Sequence, residues 1–149
     1  MTNTMLLAVD AARQEPGLHI TAAVDMVRDL AGKTGDHVVV LHVHEFATGR
    51  FGRLQIDCAE GQGEKLVDGI VRDLQDAGIQ AEAEIREADY GHIARAIMAA
   101  AEEHDSRITV LGSTTTKDLP VIAFGSVAAR LLHLSRRPVL IVPMHGDAA

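Results

Sequence analysis

The chain has 149 residues, of which 47% are hydrophobic and 23% charged, values that indicate one globular domain over residues 1–149 rather than a disordered protein. Its 14 Lys and Arg against 21 Asp and Glu give a net charge of −7, which argues against nucleic acids and anionic membranes as partners. A single cysteine, Cys58, excludes an internal disulfide, and no apolar run approaches the roughly 18 residues of a membrane helix. The first residues carry no secretion signal, so a cytoplasmic location is expected.

Short apolar runs predict the strands. Four of them lack alternation, as do strands covered on both faces of a parallel sheet: residues 5–9, 38–41, 108–111 and Val139–Val142. A fifth candidate, residues 81–88, alternates charged and apolar side chains, so we expect it at a sheet edge.

Between the strands, apolar residues recur at helical spacing in four segments. The first segment runs from Ile20 to Ala31 and is followed by two glycine stop signals, Gly32 and Gly35. Alternating strands and helices predict an α/β fold with a mainly parallel sheet and helices on both faces. The one long irregular connection, residues 45–60, is interpreted as either a mobile loop or a functional lid.

Ligands of open α/β sheets bind at the carboxyl ends of the strands, which restricts the candidate site. The most polar part of this rim combines residues 113–117 with the helix that begins at Gly125 and Ser126. The free N–H groups and the dipole of a helix start favour an anion there. The alternative is that Gly125 and Ser126 only cap the helix.

Common enzyme motifs are missing. The sequence contains no G-x-x-x-x-G-K-[ST] phosphate loop and no G-x-S-x-G nucleophile turn. Gly61-Gln62-Gly63 has no third glycine and follows no predicted strand, so it is not a dinucleotide-binding fingerprint.

Two histidines stand apart from the other six. His42 and His44 are two residues apart on a predicted strand, so they share a face and could bind a metal together with Glu45 or His92. Backbone partners are the ordinary alternative for strand-end histidines, and we predict no metal site. Cys58 is a candidate reactive thiol, although Arg53 is the only basic residue near it in sequence.

The whole chain from Met5 to Pro143 resembles the universal stress protein (UspA) family. The resemblance is carried by the first two strands and, most specifically, by three later segments: Leu111-Gly112-Ser113, Gly125-Ser126-Val127-Ala128 and Arg137-Pro138-Val139-Leu140-Ile141-Val142-Pro143. It implies a five-stranded parallel sheet of order 3-2-1-4-5, as in adenine nucleotide alpha hydrolase-like folds, and a role in the stress response. It also implies a homodimer formed through the last strand. The apolar edge Val139–Val142, between two prolines, independently favours such pairing.

The ATP-binding branch of this family carries Gly-2X-Gly-9X-Gly-[Ser/Thr]. Gly112, Thr115 and Gly125-Ser126 keep that spacing, but Thr115 replaces the second glycine, and a β-branched residue hinders close approach of phosphates to the backbone. The resemblance implies ATP or AMP as the ligand, with Mg²⁺. By this resemblance, Asp10 and Val43 would face the adenine, and Gly112, Ser113 and Thr115 would line the ribose and phosphates. The site would also include the start of the last helix, with Gly125, Ser126 and Val127.

No catalytic residue is predicted. Hydrolysis of ATP needs a positioned water and compensation of the phosphoryl charge, for which Lys117 and Mg²⁺ are the only candidates. We therefore expect a non-enzymatic protein and leave slow ATP hydrolysis open. The alternative within the same family is a homodimeric interaction protein that binds no nucleotide.

Overall fold

The computed structural model describes residues 2–10, 18–112 and 126–143, and these residues form six strands and four helices. In chain order the elements are β1 (Thr4–Val9), α1 (Leu18–Thr34), β2 (His37–Gly49), β3 (Gly52–Gln55), α2 (Gln62–Asp76), β4 (Ala81–Asp89), α3 (Ile93–Glu103), β5 (Ser106–Gly112), α4 (Ser126–Leu134) and β6 (Val139–Val142).

Five strands form a parallel sheet in the order β4-β2-β1-β5-β6. This confirms the α/β class and the predicted order of the five parallel strands. In the described residues β4 pairs only with β2, so the alternating segment lies at the sheet edge, as predicted. β1 lies in the middle, and β2 continues seven residues past His42, the residue that pairs with the last residue of β1, which leaves space beside β2 at the carboxyl rim.

The predicted count of five strands is wrong, because residues 45–55 form a β-hairpin where the sequence predicted an irregular connection. Strand β2 continues to Gly49, turns over two residues and returns as the antiparallel strand β3. Phe46 pairs with Asp89 of β4 and with Gln55 of β3, so β3 and β4 lie on opposite edges of β2. Strand β3 therefore pairs with the same edge of β2 as β1 does, at positions beyond the end of β1.

The helices cover both faces of the sheet. Alternate residues of β1 point to opposite faces: Met5 and Leu7 belong to the core cluster that includes residues of α1 and α2, and Leu6 belongs to the cluster that includes residues of α3 and α4. Gly32 does not stop α1, which continues to Thr34. The helix ends before Gly35, whose φ of 77° and hydrogen bond to the Ala31 carbonyl suit a helix C-terminus. Within the described segments, no helix has the length and apolar character required to cross a bilayer.

Candidate functional site

A cavity of about 490 Å³ opens at the carboxyl end of β1, between β2 and β5. Its wall is mostly apolar and includes residues from β1, β2, β5 and α3: Ala8, Val43, Leu111, Ile93 and Ile97. Ile56 and Asp57, which follow β3, line the side facing the hairpin. The cavity lies where strand order reverses around β1, which is the usual ligand position in open α/β sheets.

Four of the predicted site residues meet at this cavity: Asp10, Val43, Gly112 and Val127. Val43 lies one residue past the last β1–β2 pair, Val9–His42, in the gap before the hairpin pairing begins. Helix α4 begins at Ser126, as predicted, and brings Val127 to the rim. Ser113, Thr115, Gly125 and the side chain of Ser126 lie outside the described residues.

The part of the rim formed by the turn between β4 and α3 is held by contacts that the sequence did not reveal. The Gly91 N–H donates to Glu45 Oε2 at 3.0 Å, and the Tyr90 N–H donates to the Phe46 carbonyl at 2.8 Å. Arg130 of α4 donates to the Gly91 carbonyl. Gly91 has a φ of 80°, a conformation that favours glycine, so the turn after β4 is fixed beside the cavity.

Next to this cavity lies a second group of polar residues, which we name the His–Asp–Cys cluster: His42, His44, Asp57 and Cys58. One ligand atom from each residue lies within 4.8 Å of the other three. The two histidines share the face of β2 that α2 covers, and both are buried. The expectation that they share a face is confirmed.

Neither Glu45 nor His92 joins the two histidines. Glu45 alternates to the other face of β2, where it binds Gly91, and His92 is exposed at the start of α3. Asp57 and Cys58 reach the histidines because the hairpin returns the chain to β2. This contact was hidden from sequence reasoning because the hairpin itself was missed.

Each member of the cluster has specific neighbours. His42 Nδ1 lies 2.9 Å from the Val9 carbonyl oxygen, and its Nε2 lies 2.8 Å from Asp57 Oδ2. His44 Nε2 lies 2.8 Å from Glu64 Oε1, and its Nδ1 lies 3.2 Å from Asp57 Oδ2. The Cys58 thiol donates to Asp57 Oδ2 at 3.1 Å.

These contacts shift the acidities of the cluster. Burial would raise the pKa of Asp57, but its hydrogen-bond contacts with Cys58, His42, His44 and the Glu45 N–H outweigh the effect of burial and lower the pKa to about 2. Burial would lower the pKa of His44, but its bonds to Glu64 and Asp57 raise it overall. Burial and the adjacent Asp57 raise the pKa of Cys58 to about 11. A thiol of this kind is poorly nucleophilic, which argues against the reactive-thiol reading.

Comparison with known proteins decides the family. A family model described as the universal stress protein family matches residues 1–143. The chain belongs to this family. No curated protein sequence matches it.

Solved universal stress proteins have the same fold. The chain is similar to a universal stress protein family member from Burkholderia pseudomallei, with a TM-score of 0.69 and 20% identity over 95% of this chain and 96% of that one. It is similar to the Archaeoglobus fulgidus universal stress protein in complex with dAMP, with a TM-score of 0.68 and 18% identity over 94% and 97%. A family member from Arabidopsis thaliana with AMP bound gives 0.68 and 16% identity over 98% and 94%.

Proposed function

We propose that this universal stress protein binds an adenine nucleotide, AMP or ATP, in the cavity at the end of β1. The convergence of Asp10, Val43, Gly112 and Val127 on one cavity carries the proposal. The resemblance expects these residues at a nucleotide, and they come from four separate elements or their ends. The solved relatives with dAMP and AMP support the same ligand class.

The size and chemistry of the cavity suit this ligand. About 490 Å³ falls within the roughly 300–1,000 Å³ typical of small-molecule sites. The apolar wall beside Val43 suits a base, and the first turn of α4 offers its N–H groups to a phosphate. Because the carboxylates of Asp10 and Glu45 also line the cavity, we propose that Mg²⁺ compensates the carboxylate charge near the phosphates.

We propose binding without catalysis. The described lining of the cavity includes no Lys or Arg that could neutralise a phosphoryl group in transfer. A nucleotide held there would act through its effect on stability or on partners, rather than as a substrate.

We also propose that two copies pair through β6. Val139–Val142 is apolar along its whole length, and in the part of the chain that the structure describes it pairs only with β5. The alternative function, an interaction protein that binds no nucleotide, depends on this pairing alone.

The nucleotide proposal is tested by thermal unfolding with AMP or ATP, with and without Mg²⁺. A ligand at a hundredfold excess over its Kd should stabilise the wild type by about 2.7 kcal/mol. Ala8→Ile places a larger side chain in the cavity wall on a strand that tolerates β-branched residues, and we expect it to abolish the shift.

Ala81→Ile is the matched control, because Ala81 is the first residue of β4 and lies at the amino end of the parallel strands, whereas the cavity lies at their carboxyl end. This variant should keep the full ligand-induced shift. If millimolar AMP and ATP leave the wild-type melting temperature unchanged, the nucleotide proposal is wrong and the interaction protein remains.

A further inference from the structure

The outer nitrogens of both cluster histidines face groups that can only accept hydrogen bonds. His42 Nδ1 is 2.9 Å from the Val9 carbonyl oxygen, and His44 Nε2 is 2.8 Å from Glu64 Oε1. Each of these ring nitrogens therefore carries a proton. In a neutral imidazole the other nitrogen is then a bare lone pair, so His42 Nε2 and His44 Nδ1 are acceptors that point into the cluster.

A donor on the inner side supports this assignment for His44. The amide nitrogen of Gln55 lies 3.0 Å from His44 Nδ1 and can only donate, so Nδ1 accepts. Yet the same Nδ1 lies 3.2 Å from Asp57 Oδ2, and His42 Nε2 lies 2.8 Å from that oxygen. Two ring lone pairs and a carboxylate oxygen thus converge, and such an arrangement is stabilised by a cation.

We propose that the His–Asp–Cys cluster is a binding site for a divalent transition metal of the Zn²⁺ type. Its ligand atoms are His42 Nε2, His44 Nδ1, Asp57 Oδ2 and Cys58 Sγ. Asp57 Oδ2 lies 2.8 Å from His42 Nε2 and 3.2 Å from His44 Nδ1, and Cys58 Sγ lies 4.0 Å from His42 Nε2. A tetrahedral zinc site has ligand–ligand separations of about 3.3–3.6 Å, so small side-chain shifts complete it.

Charge and ligand type select the metal. Two neutral imidazoles, one carboxylate and one thiolate sum to −2, which a divalent ion neutralises in this buried position. Imidazole and thiolate favour Zn²⁺ and similar ions, whereas Mg²⁺ prefers oxygen ligands and retained water. Four protein ligands leave no open position, as in structural zinc sites, and binding releases the thiol proton of Cys58 to solvent.

Outer contacts hold the ligands in place, as they do in established metal sites. Besides Val9 and Glu64, the Glu45 N–H donates to Asp57 Oδ1 at 3.0 Å. Gly63, in the first turn of α2, lies against both rings, and a Cβ there would be 2.5 Å from His42 Cδ2. Only glycine lets α2 cover the cluster this closely.

The proposed metal site adjoins the proposed nucleotide cavity and shares two residues with its wall, His42 and Asp57. His44 and Cys58 do not line that cavity. Metal binding is read out by spectroscopy and nucleotide binding by ligand-dependent unfolding, so either proposal can fail without the other.

The test is titration of the folded, chelator-treated full chain with Co²⁺, followed by displacement with Zn²⁺. We expect one equivalent of Co²⁺ to give the intense d–d bands of a tetrahedral ion and a thiolate-to-cobalt charge-transfer band. Because Cys58 is the only cysteine in the chain, that band can arise from no other residue. Zn²⁺ should abolish both bands and raise the melting temperature, and Mg²⁺ should do neither.

Variants locate the ion. Cys58→Ser should remove the charge-transfer band, and His44→Gln should weaken binding at least about tenfold. His37→Gln, on the same strand but outside the cluster, is the control and should bind as the wild type does. The proposal is overturned if the folded wild type binds neither Co²⁺ nor Zn²⁺ stoichiometrically, because protonated histidines then hold the cluster together. It is equally overturned if cobalt binds without a thiolate band.

Discussion

Glu84 on β4 joins two elements through its carboxylate. Arg86 Nε donates to it at 3.0 Å, and His104 Nε2, which follows α3, lies 3.1 Å away. Arg86 also contacts Glu103 of α3 at 2.5 Å. Burial would raise the pKa of Glu84, but the hydrogen bonds from Arg86 and His104 outweigh it and lower the pKa from its ordinary value.

This lowered pKa predicts a loss of stability in acid. A carboxylate whose pKa is lower in the folded state contributes stability that is present above its unfolded value of 4.5 and is lost as pH falls through the folded value. Glu84→Gln should therefore destabilise the protein by about 1 kcal/mol near neutral pH and flatten the acid limb. Denaturant unfolding between pH 3 and pH 7 measures both effects.

Glu102→Gln is the matched control for this prediction, because Glu102 is an exposed carboxylate of α3. Its pH profile should follow that of the wild type. Identical acid limbs for the wild type and Glu84→Gln would contradict the role assigned to Glu84.

At the scale of elements, the β2–β3 hairpin determines what lies beside β1. Its two-residue turn connects the paired residues Gly49 and Gly52, and the Ile56 N–H extends the pairing to the Glu45 carbonyl at 2.8 Å. Arg53 lies over the Phe46 ring at 3.8 Å and contacts Glu87 of β4 at 3.1 Å. The hairpin thereby brings Ile56 and the adjoining Asp57 to the cavity.

The two glycines of the turn are predicted to respond differently to alanine. Gly52 has a φ of 107°, which an L-residue adopts only with strain, whereas Gly49 has no positive φ; a Cβ has open space at both positions. Gly52→Ala should weaken the hairpin by about 1–2 kcal/mol. Faster amide hydrogen exchange at Ile56 measures this.

Gly49→Ala should leave the exchange at Ile56 close to the wild-type rate. Equal protection in the two variants would mean that backbone conformation at Gly52 does not limit the hairpin. The comparison isolates backbone strain, since neither substitution meets a neighbouring atom.

The hairpin is the part of the fold that could not be predicted from the sequence. The five parallel strands were predictable because unbroken or alternating apolar runs report burial directly. β3 was not, since its turn, Arg50-Phe51, lacks the Asn-Gly or Asp-Gly signal of common two-residue hairpins. Because β3 was not predicted, the His–Asp–Cys cluster was predicted only in part. The shared face of His42 and His44 followed from their spacing, but Asp57 and Glu64 reach them only through tertiary folding.

At the scale of the whole molecule, the proposed pairing of two copies depends on the edge of β6 that no described strand covers. The Thr109 N–H donates to the Pro138 carbonyl at 3.0 Å, and the β5–β6 register continues this pattern. In a parallel ladder, alternate residues bond to one side, so Leu140 and Val142 face β5 while the N–H groups of Val139 and Ile141 face the open edge.

Ile141→Pro should therefore disrupt pairing between copies. Proline removes an N–H at the open edge without removing a bond to β5, and it is tolerated on edge strands for this reason. Light scattering at micromolar concentration should give a dimer for the wild type and for Ile141→Val, which keeps the N–H, but a monomer for Ile141→Pro. A monomeric wild type, or a dimeric proline variant, would refute pairing through β6.

The two edge strands of the parallel sheet differ in their charge. At the edge opposite β6, strand β4 carries charged residues at alternate positions, Glu82, Glu84 and Arg86, and no described strand pairs with its outer side. Such an edge repels a further strand. Under the proposed pairing, each molecule offers one edge strand that can pair, β6, and one charged edge strand that cannot. Extension of the sheet from chain to chain would then stop at two copies and would not continue into a fibre.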